Sequence, residues 1–420
     1  MLLAEKLHQE TINIERRVIA RGYDRKTCWA HARCGFVNHE SDDCSEAMIV
    51  TLQKSFMSLQ DHVHDVFSGI SMMRSDDGGH TWSSPVEQSE LSRWSEPGGI
   101  VGTICDFTSQ RHTATGKLLG IGVTSRYRDG KIASDCQRRE TAYAVFDPEQ
   151  NVWGPARCLH LPDPEKFSFS GAGCVQWEEL PGGDILLPIY FSISESGDLA
   201  ARFAVVVLRC AFDGKELTVR EVGGILALPV MRGFVEPSLM ECNGRFWLTL
   251  RNDERGYVAV SHDGLHFEAP TPWTFCDGRD LGSYNTQQHW LRLGERLFLV
   301  YTRSGLDNDH VVRHRAPLLI AEVDQERRVV LGDTEQILIP NRGAQLGNFG
   351  AVQKNDTEAW VCASEWMENA GQWNHEVWSA LEKKFPAENL LALAATPGRC
   401  GLCELSGSDN SIHLVKVSLP

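Results

Sequence analysis

Short β-prone runs that follow glycine turns recur along the whole chain, and they constrain its fold more than any other feature. Four of these turns read alike, with an apolar run after Gly116, Gly183, Gly244 and Gly294. A tight hairpin turn needs positive φ, which glycine supplies, so each turn predicts a β-hairpin. The turns recur every ~50–70 residues, a period typical of a four-stranded propeller blade with generous loops. We therefore expect an all-β protein, a β-propeller of four-stranded antiparallel blades, with six blades favoured and seven as the alternative.

Helical periodicity is confined to the two ends of the chain. Residues 2–18 have apolar positions at helical spacing, so residues 1–20 are expected to include a helical N-terminal extension. A second helix is expected over residues 376–385, where Pro386 would stop it. No linker rich in proline, serine or glycine divides the chain. We therefore expect a single domain over residues 1–420.

The charge balance limits the partners that the protein can have. The formal net charge is −15. Nucleic-acid binding relies on Lys and Arg, so neither nucleic acid nor an anionic membrane is an expected partner. An anionic small substrate stays compatible, because the local charge of a pocket can oppose the net charge. The absence of a signal-peptide pattern and of a disulfide or zinc framework, beyond the pair Cys400 and Cys403, favours a cytoplasmic protein without metal or cofactor.

The most specific local motif is the run SDDGGHTW at residues 75–82. Within it Asp77 can accept backbone N–H bonds, Gly78 and Gly79 permit positive φ, and Trp82 can pack under the hairpin. The run resembles the Asp box of sialidases and other propellers, which stabilises a hairpin far from the substrate. We therefore expect Asp77 and Trp82 to be structural. Weaker copies stand at residues 261–267 and 147–153.

Three further stretches resemble the sialidase family, at residues 170–190, 236–251 and 283–301. With the Asp box they extend over residues 31 to about 320. The resemblance implies an acidic sugar as substrate. Because its anomeric carbon bears a carboxylate, a neutral Tyr assisted by a Glu suits as nucleophile better than a carboxylate does. Arginines bind the carboxylate through charge-assisted bidentate bonds, and an Asp or Glu protonates the leaving oxygen.

The same resemblance implies roles for individual residues. Residues that match family positions are the catalytic candidates Asp65, Glu236 and Tyr284 and the substrate-binding candidates Arg33, Arg251 and Gln176. The third arginine of the family precedes the Tyr, whereas the candidates here, Arg303, Arg313 and Arg315, follow it. Only Arg279 precedes Tyr284 closely. Arg303 and Arg315 are retained as the substrate-binding candidates.

Histidines in the same segments leave other chemistry open. They are His31, His62, His64, His289, His310 and His314. His can act as acid or base near neutral pH, so His31 and His64 are further catalytic candidates, and His289 is a substrate-binding candidate. His62 and His64 would share a face on a strand, but the sequence supplies no adjacent third metal ligand.

Taken together, these patterns predict an exo-acting, sialidase-like glycoside hydrolase that removes a terminal acidic sugar from an oligosaccharide or glycoconjugate. One alternative is a propeller polysaccharide lyase, or a His-dependent glycosidase of the rhamnosidase type, acting on uronate or deoxysugar oligosaccharides. Another is a non-catalytic propeller that binds glycans. The products separate these three functions, since hydrolysis releases a reducing sugar, elimination leaves an unsaturated uronate, and a binding module releases neither.

Overall fold

The computed structural model describes residues 12–37, 47–57, 65–133, 136, 138–193, 202–367, 375–390 and 401–420. His62 and His64 lie outside the described residues, as does the proposed helix before residue 12. Strands are the main regular secondary structure of the described chain. No helix among these residues is long and apolar enough to cross a membrane.

The strands form small antiparallel sheets, named here I to VI in chain order. Strand β1 (Asn13–Arg21) comes first. Sheet I contains β2 (Thr27–Val37), β3 (Ala47–Phe56), β4 (Ser71–Ser75) and β5 (Val86–Glu87). Sheet II contains β6 (Trp94–Glu96), β7 (Ile100–His112), β8 (Lys117–Arg128), β9 (Lys131–Ile132), β10 (Thr141–Asp147), β11 (Val152–Trp153) and β12 (Arg157–Cys158). Sheet III contains β13 (Ser170–Gly171), β14 (Glu178–Glu179), β15 (Asp184–Ser192), β16 (Phe203–Phe212), β17 (Leu217–Val222) and β18 (Leu226–Ala227).

The remaining sheets and the helices follow in order. Sheet IV contains β19 (Val235–Cys242), β20 (Arg245–Arg251), β21 (Tyr257–Ser261) and β22 (Thr271–Pro272). Sheet V contains β23 (His289–Leu293), β24 (Arg296–Tyr301), β25 (Leu318–Asp324), β26 (Val329–Val330) and β27 (Gln336–Ile339). Sheet VI contains β28 (Gly350–Asn355), β29 (Glu358–Ser364), β30 (Ser411–Ser418) and β1. Helices α1 (His375–Glu382) and α2 (Gly401–Leu405) lie between β29 and β30, and single 3-10 turns lie at Ser89–Leu91, Val312–His314 and Gly332–Thr334.

The sheets pack face to face in a closed ring, which is a propeller arrangement. Among the described residues, one apolar cluster lies between each sheet and the next, and another joins sheet VI to sheet I. The innermost strands are β2, β7, the pair β13 and β14, β19, β23 and β28, and they follow one another around the centre. Because each sheet buries both faces against its neighbours, the strands read as nearly continuous apolar runs.

Strand β1 closes this ring by pairing antiparallel with β30, from Asn13 opposite Ser418 to Arg21 opposite Ser411. The expected N-terminal helix is therefore wrong for residues 13–20, because β30 satisfies the backbone of this segment. The expectation of four-stranded blades is wrong for sheets II, III and V, which have seven, six and five described strands. Bulges and short edge strands account for the difference. The expected C-terminal helix is confirmed in α1.

An Asp-centred turn joins two outer strands in each of sheets I to V, namely β4 to β5, β10 to β11, β16 to β17, β21 to β22 and β25 to β26. In every case the carboxylate accepts two consecutive backbone N–H groups, and the five residues are Asp77, Asp147, Asp213, Asp263 and Asp324. Sheet VI needs no such turn, since its fourth strand is β1. Asp213 and Asp324 stand outside any motif that we expected from the sequence. These turns lie at the outer edge of the ring.

Replacing Asp77 with Ala is expected to lower the Tm by a few degrees without changing the activity per folded molecule. Asp77 also accepts bonds from the hydroxyls of Thr81, at 2.6 Å, and Ser75, at 2.8 Å. Hydrogen bonds, above all from Thr81, hold the pKa of Asp77 below its usual range. This stabilisation is present above the unfolded-state pKa and is lost as the pH falls through the folded value.

Asp147→Ala is the matched control and should lower the Tm less, since no hydroxyl adds to its two backbone bonds. Loss of activity at unchanged Tm would contradict a structural role for Asp77.

Candidate active site

Bulges and breaks at the inner edges of the sheets turn five side chains toward one another. Each belongs to a non-glycine residue in the left-handed region of φ, and they are His31 (55°), Asp106 (54°), Cys174 (58°), Glu236 (46°) and Asn285 (48°). Bulges interrupt β2, β7 and β19 at three of them, Cys174 separates β13 from β14, and Asn285 precedes β23. Such backbone conformations cost about 1–3 kcal/mol each and concentrate at functional sites. A bulge re-aims a side chain, so five neighbouring sheets contribute to one polar centre.

Three arginines from different elements converge on the short segment before β23. The Arg251 guanidinium donates to the side-chain oxygen of Asn285, and Arg315 donates to the Asn285 carbonyl oxygen at 2.6 Å. Arg33 donates to Gln287 Oε1 at 3.3 Å. Arg33 lies on β2, Arg251 ends β20, and Arg315 lies in the loop between β24 and β25. The structure thus brings together three of the arginines that the sequence singled out.

Two of these three arginines are buried without an ionised partner. Arg33 is 0% exposed and Arg315 is 4% exposed. Across the described ranges no carboxylate lies within ion-pair distance of either, whereas Arg251 contacts Glu236 at 2.5 Å. Burial, and then the charges of Arg251 and Arg313, lower the pKa of Arg315. The site therefore concentrates positive charge that the described side chains leave partly unbalanced.

Two glycines before and at the start of β28 make room for these arginines. A Cβ added to Gly347 would lie 2.7 Å from Arg315 Cδ, and one added to Gly350 would lie 3.0 Å from Arg33 Cδ. Both distances are shorter than ordinary carbon contacts. The small residues of this segment therefore set the positions of the guanidinium groups.

The acidic side of the centre consists of Glu236 and Asp106. Glu236 Oε1 accepts from Arg251, and within the described structure its buried Oε2 has no hydrogen-bond partner. Asp106 Oδ1 accepts from the Cys174 thiol at 3.0 Å and lies 3.2 Å from His31 Nε2. Burial raises the pKa of Asp106, but the charges of His31 and Arg33 bring it below its usual range. Burial raises the pKa of Cys174, so this thiol is a hydrogen-bond donor rather than a nucleophile.

A phenol, an imidazole and a carboxylate form a chain beside the arginines. Tyr284 Oη lies 2.7 Å from His314 Nδ1, and His314 Nε2 lies 3.1 Å from Asp309 Oδ1. Burial raises the pKa of Tyr284, whereas the charges of Arg313 and Arg315 oppose that shift. Glu236 is bound to Arg251 instead of to Tyr284. The arrangement has the order of a nucleophile, a base and an orienting carboxylate.

Asp65 and His289 border this centre. Asp65 is exposed, with φ of 61°, and its charge acts on His31, Arg313 and Arg315. His289 Nδ1 lies 2.7 Å from the Ser238 hydroxyl, and its ring packs edge-on against Phe349. Burial, followed by the Arg33 charge, lowers the pKa of His289. Asp65 therefore stands at the rim and His289 below the arginines.

Gln176 and Arg303 are engaged elsewhere. The Gln176 amide donates to the carbonyls of Trp290 and Ala351 and accepts from the Trp290 backbone, so it joins sheets III, V and VI. Arg303 makes two hydrogen bonds to Glu335, at 2.8 and 2.7 Å. Both side chains are satisfied by the protein, and neither enters the function proposed below. His64 lies outside the described residues.

Several site residues were absent from the sequence interpretation. The most important are Asp106, Asn285, Gln287 and Asp309, together with the base His314, which the sequence flagged only as one of several histidines. One signal was available for Asp106, because a lone carboxylate between Cys105 and Phe107 interrupts a strand pattern. Amide residues carry no comparable signal. No group of three or more His, Cys, Asp or Glu in the described part of the chain is arranged to hold a metal.

Comparison of this chain with known proteins identifies its fold by structural similarity. No family model and no curated protein matches the sequence. A protein of unknown function from Dyadobacter fermentans is similar in structure, with a TM-score of 0.59 and 16% identity over 97% of this chain and 99% of its own. A Hadza microbial sialidase gives 0.55 and 13% over 80% of this chain and 63% of its own.

Trypanosoma rangeli sialidase in complex with sialic acid gives a TM-score of 0.54 and 13% identity, over 97% of this chain and 59% of its own. The chain thus spans about three fifths of the length of these two sialidases. This chain has a divergent sialidase-like propeller fold. At such identities the likeness extends to the fold alone, so the function has to be argued from the site.

Proposed function

We propose that this chain is a glycoside hydrolase that removes a terminal acidic sugar from an oligosaccharide or glycoconjugate, as an exo-sialidase does. One observation carries the proposal: Arg33 and Arg315 are buried beside Arg251, and neither has a carboxylate partner among the described residues. An unpaired buried charge costs on the order of several kcal/mol, and a bound carboxylate would offset that cost. The sialidase-like fold supports the proposal, and we further propose that the ring has six blades, one for each sheet.

In the proposed mechanism the three arginines bind the sugar carboxylate and so orient the anomeric carbon. The Tyr284 oxygen attacks that carbon while His314 accepts the phenol proton and Asp309 holds the imidazole. Asp65 at the rim protonates the leaving oxygen and then, as a carboxylate, activates the water that releases the sugar. Tyr284 recovers its proton from His314. Glu236 positions Arg251, which departs from the pairing that the family resemblance implies.

A screen of released products tests this function. The protein is incubated with sialosides, uronate oligosaccharides and rhamnosides, and the products are identified by mass. We expect a free acidic sugar whose mass, added to that of the remaining product, equals the substrate plus one water. Release of neutral sugars only, or no release from any acidic substrate, would contradict the proposal.

A polysaccharide lyase is the second candidate, and the contact between Tyr284 and His314 favours it. Once His314 has taken the phenol proton, the Tyr284 phenolate could take the proton next to a uronate carboxylate that the arginines neutralise, while the glycosidic oxygen leaves and a carbon–carbon double bond forms. Elimination adds no water, so the product masses would sum to the substrate mass. A new ultraviolet absorbance from an unsaturated uronate would therefore show that the reaction is elimination and not hydrolysis. The arginines would still bind the carboxylate in that case.

A further inference from the structure

The orientation of Gln53 determines how His31 is protonated. Gln53 Nε2 donates to the backbone oxygens of Ser68 and Ile104, both at 2.7 Å. A flipped amide would set its oxygen against two carbonyl oxygens, so the orientation is fixed by its surroundings. Gln53 Oε1 therefore faces His31 Nδ1, at 3.3 Å. This contact requires a proton on Nδ1.

The other ring nitrogen also faces an acceptor. His31 Nε2 lies 3.2 Å from Asp106 Oδ1, and that oxygen already accepts from the Cys174 thiol. A neutral imidazole has one N–H and one lone pair, so either neutral tautomer leaves two acceptors facing each other when Asp106 is ionised. His31 is 4% exposed, and little water can relieve such a contact. One additional proton removes the conflict.

We propose that His31 and Asp106 together hold one proton more than a neutral imidazole and an ionised carboxylate would, and that this proton lies in the contact between Nε2 and Oδ1 at the floor of the site. The proton resides on the ring or on the carboxyl group. Asp106 is 19% exposed, so its second oxygen can reach a bound ligand, whereas the His31 ring cannot. With the proton in the contact between Nε2 and Oδ1, that second oxygen is left to accept a hydrogen bond from a sugar hydroxyl. This ligand role rests on the proposed function, whereas the protonation itself does not.

The surrounding charges act in both directions. Burial lowers the pKa of His31, while the Asp106 charge opposes that shift; Arg33 and Asp65 also face the ring. Arg33, Arg139 and Cys174 face the Asp106 carboxylate. Arg33 disfavours a further positive charge nearby. An acidic ligand that neutralises Arg33 would therefore strengthen the hold of the pair on its proton.

Nuclear magnetic resonance on the full chain, with 15N-labelled His and 13C-labelled Asp, tests the pair without any substrate. At pH 7 we expect either two protonated nitrogens on His31 or a protonated carboxyl on Asp106. A singly protonated His31 together with an ionised Asp106 would overturn the proposal. His112 is the internal control: its ring nitrogens contact the Thr115 hydroxyl at 2.9 Å and the Gly183 carbonyl at 2.7 Å, so a neutral tautomer satisfies both.

A variant separates this proposal from the proposed function. Asp106→Asn places an amide N–H toward His31, so the ring should become neutral in the same spectra. If the product screen finds no hydrolysis but His31 loses a proton in this variant, the pair is supported and the proposed function fails. If hydrolysis occurs, Asp106→Asn should lower kcat/KM about tenfold or more, the scale of one hydrogen bond to a charged group. Where the wild-type ring carries two protons, a ring that keeps both of them in Asp106→Asn would contradict the pair.

Discussion

Replacing Tyr284 with Phe is expected to lower kcat by roughly a hundredfold or more on the acidic substrate that the product screen identifies. The change removes one oxygen and leaves the ring in place, so packing against His314 is retained. A nucleophile or a base that acts in the chemical step contributes on this scale or above it. His314→Gln should cause a loss of similar size, and the double variant should lose little more than either single one, because the two groups act as one unit.

Tyr301→Phe is the matched control for that prediction. The buried Tyr301 hydroxyl donates to the Glu335 carboxylate at 2.5 Å, and none of the three clustered arginines is its partner. Its removal should leave kcat within about twofold of the wild type and affect stability instead. Near-wild-type turnover in both Tyr284→Phe and His314→Gln would remove the phenol and its base from the mechanism, and the arginine site would then need another nucleophile.

Replacing Arg315 with Met is expected to have opposite effects on binding and on stability. The affinity for an acidic sugar should fall roughly a hundredfold, because one partner of a buried charge pair is lost. The Tm should stay the same or rise, since the substitution removes a buried guanidinium that no carboxylate of the described chain neutralises. Calorimetric titration and thermal unfolding measure the two effects separately. This trade of stability for function is typical of binding sites.

Arg303→Met provides the control for Arg315→Met, since both arginines lie in the loop between β24 and β25. Arg303 is paired with Glu335, so its loss leaves that carboxylate without its cation. We expect a lower Tm and an unchanged affinity. The reverse pattern, with binding lost in Arg303→Met and kept in Arg315→Met, would show that the third carboxylate-binding arginine is Arg303 and not Arg315.

The repeated turns were sufficient to predict the fold class, because a glycine or Asp at a hairpin acts locally. The glycine turns recur in sheets II to V and the Asp turns in sheets I to V, so the period survives in the sequence. Strand β1 was less accessible, since only its partner β30, almost the whole chain away, makes it a strand. Local propensity alone does not contain that pairing.

The sequence predicted the charged residues that bind a carboxylate. It did not predict the residues whose side chains reach the site because of an unusual backbone conformation. Arg33 and Arg251 were identified by resemblance. Asp106 and Asn285 reach the centre through single residues at positive φ, which no pattern of residue types announces. The sequence also could not predict that Glu236 pairs with Arg251, because the pairing depends on the distances of Arg251 and Tyr284 from that carboxylate in the folded chain.

One calorimetric measurement tests the central claim, which is that the buried arginines bind a sugar carboxylate. N-acetylneuraminic, glucuronic and galacturonic acids are titrated into the wild type, each beside its neutral methyl ester, and then into Arg33→Met and Arg315→Met. We predict saturable binding of at least one acid, at least about tenfold weaker binding of its ester, and loss of that preference in both variants. Equal binding of acid and ester, or a preference that survives in both variants, would contradict the claim.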